Sequence, residues 1–162
     1  MIPADLPFKI GTCSWKYDSW KDIIYSENAK QNYLKEYAQH FNSVEIDQWF
    51  WSLFEGSKVA LPKEKTVEEY ISSVPEDFKF SIKVPNSITL THYYRKGKNQ
   101  PLVENPHFLS PQLMEQFLVK LKPMHPYLGP LMFQFEYLNK QKMENQSRFQ
   151  EQFAHFLEQC PG

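Results

Sequence analysis

The chain has 162 residues, of which 41% are hydrophobic and 23% charged. This composition is typical of a globular protein with one hydrophobic core. The formal net charge of −1 gives no overall field that would attract nucleic acid or an anionic membrane. The sequence has no secretory signal pattern and no apolar run near the roughly 20 residues of a membrane-spanning helix. Cys13 and Cys160 lie far apart and match no disulfide or zinc pattern, which favours a cytoplasmic protein.

Four segments have the residue pattern of β-strands. Phe8 and Ile10 alternate with Lys9 in the first, and Val44 and Ile46 flank Glu45 in the second. The third alternates apolar and polar residues throughout, and the fourth is nearly all apolar, so all four fit strands of a sheet. The predicted strands cover residues 6–12, 43–47, 77–85 and 131–135.

Apolar residues at helical spacing follow each strand. The predicted helices cover residues 28–40, 66–74, 110–121 and 148–159. Ser110 and Pro111 fit the start of the third helix, and the last helix is expected to direct Phe149, Phe153, Phe156 and Leu157 inward.

Strands that alternate with helices predict an α/β protein built from parallel βα units. Four units are about half of an eight-unit TIM-type barrel, which needs about 250 residues. The sequence therefore predicts that residues 1–162 form a single domain, the N-terminal part of a TIM-like barrel that is truncated after the fourth βα unit. An open sheet of this kind would expose edges and an apolar inner face, which favours self-association.

Polar side chains lie where these strands end, and a barrel places its active site there. Glu45 and Asp47 belong to the second strand, Lys83 to the third and Gln134 to the fourth, while His92 lies in the third loop. We expect Glu45, Lys83 and His92 to be catalytic. Asp47 and Gln134 are expected to bind the ligand, with three aromatic residues of the first loop as a stacking wall: Trp15, Tyr17 and Trp20.

Each assignment has a structural alternative. Glu45 and Lys83 would also fit a structural salt bridge, or Lys83 would point outward between helices. Gln134 would also fit an amide that satisfies backbone groups, and His92 a solvated loop residue. Cys13 would fit a nucleophile with His92 as its base, but an inert thiol is favoured because no local motif supports the nucleophile. No metal is predicted, since no histidine, cysteine or carboxylate group has a recognised ligand spacing, although Glu45, Asp47 and His92 would supply suitable oxygen and nitrogen ligands. The sequence identifies no cofactor, and it contains no phosphate-binding glycine motif.

Four motifs in order resemble the YecE-like family, known as domain of unknown function 72. They are GTCSWKY at 11–17, FNSVEID at 41–47, FKFSIKVP at 78–85 and LGPLMFQ at 128–134. The resemblance implies a TIM-type barrel of which this sequence holds the N-terminal portion, but no defined activity. The family's pattern Glu-Ile-Asn-x-Thr-Phe-Tyr differs here, with Asp47, Trp49 and Trp51 in place of Asn, Thr and Tyr.

Three functions fit these features. The first is a hydrolase or lyase that acts, in its full-length form, on a phosphorylated, sugar-like or nucleic-acid substrate. The second is a non-catalytic module for a nucleotide or single-stranded nucleic acid, with exposed aromatic rings beside Arg95, Lys96 and Lys98. The third is an inactive truncated copy, because half a barrel lacks half of its site loops.

Overall fold

The computed structural model describes residues 8–26, 32–54, 58–95, 97 and 99–161. The helices in this part of the chain are α1 (Tyr33–Tyr37), α2 (Glu64–Ile71), α3 (Asn86–Thr89), α4 (Pro111–Leu121) and α5 (Gln146–Gln159). Its strands are β1 (Ser43–Ile46), β2 (Leu53–Phe54), β3 (Lys58–Val59), β4 (Lys79–Lys83) and β5 (Leu128–Met132). None of the described helices is long and apolar enough to cross a bilayer.

The strands confirm an α/β chain with a parallel sheet. β1 pairs with β4 and β4 with β5, both in parallel, so the order is β1-β4-β5. β2 and β3 form a separate antiparallel pair in a segment without a predicted strand. Two residues per strand leave little periodicity from which such a pair could be predicted.

The chain divides into two compact units. The first comprises Met1–Gln48, Pro62–Lys83 and Lys120–Met132, and it contains the parallel sheet. The second comprises Trp49–Leu61, Val84–Val119 and Phe133–Gly162.

Alternation along β1 and β4 gives the sheet of the first unit one apolar and one polar face. Val44, Ile46, Phe80 and Ile82 are each at most 1% exposed, and each such burial is worth about 1.5–3 kcal/mol. The intervening residues, which include Glu45 and the last residue of β4, are half-buried and polar. The apolar side chains of these two strands therefore share one buried face, and the polar side chains share the other.

Phenylalanine rings dominate the core of the second unit. The Phe135 ring lies 4.8 Å from that of Phe149 and 5.1 Å from that of Phe153, both in T-shaped contact. Phe156 is 2% exposed, as the inward stripe of the last helix predicted. Leu157 was predicted to face inward, but it is 46% exposed.

The first predicted strand does not form over the described residues 8–12. Instead, the Ile10 amide donates to Asn42 Oδ1 at 2.7 Å and the Thr12 amide to the Tyr37 hydroxyl at 2.8 Å. These donors are therefore used by side chains rather than by a strand ladder. The segment still runs parallel to β1 and meets it in one bridge, between Cys13 and Glu45.

The fourth strand begins three residues earlier than predicted and ends at Met132, so residues 133–135 lie beyond it. Gly129 and Pro130 lie within β5. A Cβ on Gly129 would lie 3.1 Å from the Phe80 carbonyl oxygen, so glycine permits close approach to β4. Proline fits here because β5 lies at the edge of the described sheet.

The predicted helices form with shifted ends. α1 begins at Tyr33, while residues 28–31 of the predicted helix lie outside the described part of the chain. α2 ends at Ile71, before the predicted stop, because the hydroxyls of Ser72 and Ser73 bond to the Glu69 carbonyl. Ser110 caps α4 as predicted, since its Oγ accepts from the Leu113 amide at 3.2 Å.

Gly11 sets the approach of the first segment to β1. A Cβ at this position would lie 2.0 Å from the Ser43 carbonyl oxygen, so Gly11→Ala must displace backbone. We expect the substitution to lower the free energy of unfolding by about 1–3 kcal/mol in urea denaturation. Gly97→Ala is the control, because a Cβ there meets nothing within 4 Å, and it should change stability by less than about 0.5 kcal/mol. Equal stability of the two variants would contradict the close approach.

Candidate functional site

Glu45 and Lys83 form an ion pair between neighbouring parallel strands. Glu45 lies opposite Ser81 in the register of β1 and β4, so Lys83, two residues further on, is its diagonal neighbour on the same face. Lys83 Nζ lies 3.2 Å from Glu45 Oε1, and the side chains are 19% and 17% exposed. Strand geometry therefore directs Lys83 toward Glu45.

Cys13 shares the same carboxylate oxygen. The Glu45 amide donates to the Thr12 carbonyl at 2.9 Å, and the Ser14 amide donates to the Glu45 carbonyl at 3.0 Å. This parallel bridge brings Cys13 Sγ to 3.1 Å from Glu45 Oε1 and 3.8 Å from Asp47 Oδ2. We call Cys13, Glu45, Asp47 and Lys83 the Glu45 cluster; all four belong to the first compact unit.

The backbone turns sharply just after Cys13. Ser14 has a φ of 64°, in the left-handed region that few residues other than glycine adopt. Its carbonyl accepts from Thr12 Oγ1 at 2.7 Å, which supports the turn. Strained backbone of this kind is concentrated at functional sites, and here it lies beside the Glu45 cluster.

The electrostatics of the Glu45 cluster keep Cys13 neutral and Lys83 charged. Burial raises the pKa of the Cys13 thiol to about 11, assisted by its hydrogen bond to Glu45 and the charges of Glu45 and Asp47, while Lys83 opposes the shift. For Lys83, burial lowers the pKa, but the bond to Glu45 and the surrounding acidic groups outweigh it and leave the pKa raised. At neutral pH the cluster therefore presents a protonated thiol and an ammonium group, so Cys13 is a poor nucleophile.

The three aromatic residues of the first loop take different positions. Tyr17 is 38% exposed, and its hydroxyl donates to the Cys13 carbonyl at 2.6 Å, so its ring borders the Glu45 cluster. Burial and the neighbouring acidic groups raise the pKa of Tyr17. Trp20 is half-buried, 4.7 Å from the Tyr17 ring. Trp15 is 2% exposed and packs edge-on against Tyr70 at 5.0 Å, so its contacts are with the protein core.

His92 and Gln134 belong to the second compact unit. His92 is 9% exposed, with Nδ1 2.9 Å from Thr91 Oγ1. Gln134 is exposed and lies two residues beyond the end of β5. Of the predicted residues, Glu45 and Lys83 are therefore in direct contact, and Asp47 is linked to Glu45 through Cys13.

The loop after α3 carries the residues considered for phosphate contact. Arg95 Nη1 donates to the Gln100 carbonyl at 3.4 Å. Lys96 and Lys98 lie outside the described residues. Within the described ranges, no three histidine, cysteine, aspartate or glutamate side chains are grouped so as to hold a metal ion.

Sequence reasoning missed a second charged network, in the second unit. Thr91 Oγ1 donates to Glu136 Oε1 at 3.0 Å, and Glu136 pairs with Lys142. Apolar and polar residues alternate from Phe133 to Glu136. This alternation was the signal in the sequence that Glu136 lies on a polar face opposite the two phenylalanines. Its partner Thr91 lies 45 residues earlier, and no local pattern reports such a contact.

This fold and these motifs are those of one family. The sequence profile of the family described as "Protein of unknown function DUF72" matches residues 9–162, so the chain belongs to this family and the resemblance seen in its motifs is confirmed. UPF0759 protein YecE of Escherichia coli strain K12 is 26% identical over 120 residues, 74% of this chain and 34% of the relative. YecE of strain O157:H7 matches to the same extent.

Solved structures of the family share the fold. A DUF72 family protein of Thermotoga maritima MSB8 matches with a TM-score of 0.62 and 21% identity, over 95% of this chain and 52% of that one. A DUF72 family protein of Enterococcus faecalis V583 matches with a TM-score of 0.56 and 22% identity, over 94% and 48%. The chain thus spans about half the length of these relatives, and its match to YecE spans 34% of that protein.

The raised pKa of Cys13 predicts slow alkylation. In a Cys160→Ser background, we expect iodoacetamide to react slowly with Cys13 at about pH 8, because little thiolate is present. Glu45→Gln removes one cause of the raised pKa and should increase the rate by about three- to tenfold, since one pKa unit is tenfold in thiolate. Asp77→Asn removes a carboxylate that pairs with Lys9, at 3.6 Å, and should leave the rate unchanged. A rate unaffected by Glu45→Gln would contradict the contact.

Proposed function

We propose that this chain supplies the N-terminal part, about four of eight βα units, of a TIM-type barrel. In its full-length form, the barrel is a hydrolase or lyase that acts on a phosphorylated, sugar-like or nucleic-acid substrate. Parallel β1, β4 and β5 support the barrel, as do family members about twice as long. The proposal also treats the two compact units as parts of a single domain.

The Glu45–Lys83 ion pair carries the proposal. Its two side chains lie at the carboxyl ends of adjacent parallel strands, which is where barrels hold their catalytic groups. The ammonium of Lys83 would contact a phosphate or other anion, and Glu45 would transfer a proton or orient the ligand. Asp47 extends the acidic side, and the exposed Tyr17 ring beside it provides a surface for a sugar or base.

The alternative to this proposal is that Glu45 and Lys83 form a purely structural salt bridge. A half-buried salt bridge gains little net stability, because the desolvation of both charges offsets their attraction. A ligand phosphate would instead replace Glu45 as the partner of Lys83 and recover the cost of desolvation. The pair is therefore better suited to ligand exchange than to holding the sheet together.

Two further properties belong to the proposal. β5 pairs on one side only within the described sheet, so its free edge provides a route to self-association. Both cysteines are free thiols, which is consistent with a cytoplasmic location.

Matched lysine variants test the role of the Glu45 cluster. In a thermal-shift screen of the longest natural form against sugar phosphates and nucleotides, we expect Lys83→Met to weaken binding of any phosphorylated ligand about tenfold or more, since a charge-assisted hydrogen bond is lost. Lys79→Met is the control, because Lys79 lies on the same strand but bonds to the Pro126 carbonyl at 2.6 Å. Glu45→Gln should reduce turnover of any substrate found.

The result that contradicts the proposal is equally specific. If Lys83→Met and Glu45→Gln fold normally and retain parental affinity and turnover for every ligand that binds, the ion pair is structural. If Lys79→Met weakens binding as much as Lys83→Met, the effect comes from net charge rather than from the Glu45 cluster.

A further inference from the structure

Thr91 belongs to a network of four side chains in the second unit. Thr91 Oγ1 contacts both His92 Nδ1, at 2.9 Å, and Glu136 Oε1, at 3.0 Å. Glu136 Oε2 in turn pairs with Lys142, and these two side chains are 16% and 18% exposed. Thr91 is 6% exposed and His92 9%. We call these four residues the Thr91 network.

The backbone around the Thr91 network is fixed. The Asn105 amide donates to the Thr91 carbonyl and the Tyr93 amide to the Val103 carbonyl, both at 2.9 Å. His92 forms an antiparallel bridge with Glu104 between these bonds. The His92 ring is therefore carried by a paired segment, which gives it a defined position.

The hydrogen bonds of Thr91 determine the tautomer of neutral His92. The Glu136 carboxylate, paired with Lys142, only accepts, so the single hydroxyl proton of Thr91 goes to Glu136. The Thr91 oxygen then accepts from His92, which requires the proton on Nδ1. This assignment leaves Nε2 unprotonated, the opposite of the tautomer that free histidine prefers.

Nε2 of His92 is available for a ligand. In the described part of the chain it has no hydrogen-bond partner, since the one bond of the ring is made by Nδ1. The fully buried, unpartnered side-chain oxygens and nitrogens there are Thr89 Oγ1 and Gln152 Oε1, so Nε2 retains some accessible surface. A bare imidazole nitrogen with access to solvent is a proton acceptor without an internal partner.

We propose that His92 Nε2 is the proton acceptor of a binding site for a hydroxyl-bearing ligand, such as an alcohol or sugar, with Thr91 and Glu136 as its positioning residues. The ligand hydroxyl donates to Nε2. On transfer, the proton moves to Nε2, the O–H electron pair remains on the ligand oxygen, and the ring becomes an imidazolium. Glu136 offsets that positive charge through Thr91. The Thr91 network and the Glu45 cluster have no residue in common.

The tautomer is the first test. In the chain labelled with ¹⁵N-histidine at about pH 8, where ordinary imidazole is neutral, long-range ¹H–¹⁵N spectra should show the His92 proton on Nδ1. Thr91→Val removes the hydroxyl, so the proton should move to Nε2, and Thr91→Ser should restore the parental state. Thr89→Val is the control, because it removes a buried hydroxyl that has no partner and should not alter His92.

Diethyl pyrocarbonate, which acylates unprotonated imidazole nitrogens, tests access to Nε2. Mass spectrometry should find His92 modified in the parent, with the exposed His40 and His155 as internal references. Thr91→Val should slow the modification of His92 several-fold relative to them, and Thr89→Val should not. An Nε2 proton in the parent, or an unmodified His92, would overturn the proposal whether or not Thr91→Val folds.

Discussion

The parallel register of β1 and β4 is the constraint on which the Glu45 cluster depends. Placing Glu45 opposite Ser81 leaves Lys83 as the diagonal neighbour of the carboxylate. A slip of one residue would turn Lys83 to the buried face beside Phe80 and Ile82, where an unpaired ammonium group would be strongly destabilising. The apolar alternation of both strands therefore specifies the core and, on the opposite face, the polar site.

A second constraint brings the third member of the Glu45 cluster into place. Gly11 allows the first segment to approach Ser43 closely. Two residues later, the parallel bridge places Cys13 next to Glu45. Glu45 Oε1 then receives both the thiol and the ammonium group. Because the thiol is held neutral, Cys13 is a poor nucleophile, and Lys83 carries the positive charge of the cluster.

The sequence was sufficient where local pattern and tertiary structure agree. Alternation about Glu45 predicted which side chains are buried in β1, and the spacing of Phe149, Phe153 and Phe156 predicted the inward stripe of α5. The sequence pattern predicted a strand wrongly where backbone amides donate to side chains instead of to a neighbouring strand. Ile10 and Thr12 have the pattern of a strand, but Asn42 and Tyr37 take their amides.

Contacts between distant parts of the chain could not be predicted in the same way. The role of Gly129, close approach to Phe80, depends on the pairing of β4 with β5 rather than on its neighbours in the sequence. The aromatic ring of Trp15 is suited both to stacking on a ligand and to packing in the core. Its contact with Tyr70, 55 positions later in the sequence, shows that it packs in the core. The link from Thr91 to Glu136 depends on three-dimensional proximity alone.

A double-mutant cycle on Glu45 and Lys83 tests the central claim most directly. The free energies of unfolding of the parent, Glu45→Gln, Lys83→Met and the double variant give the coupling between the two side chains. Direct contact predicts a coupling of about 0.5–3 kcal/mol, with the double variant more stable than the sum of the single changes implies. Additive effects, within about 0.3 kcal/mol, would show that the two side chains do not meet and would contradict the register on which the site depends.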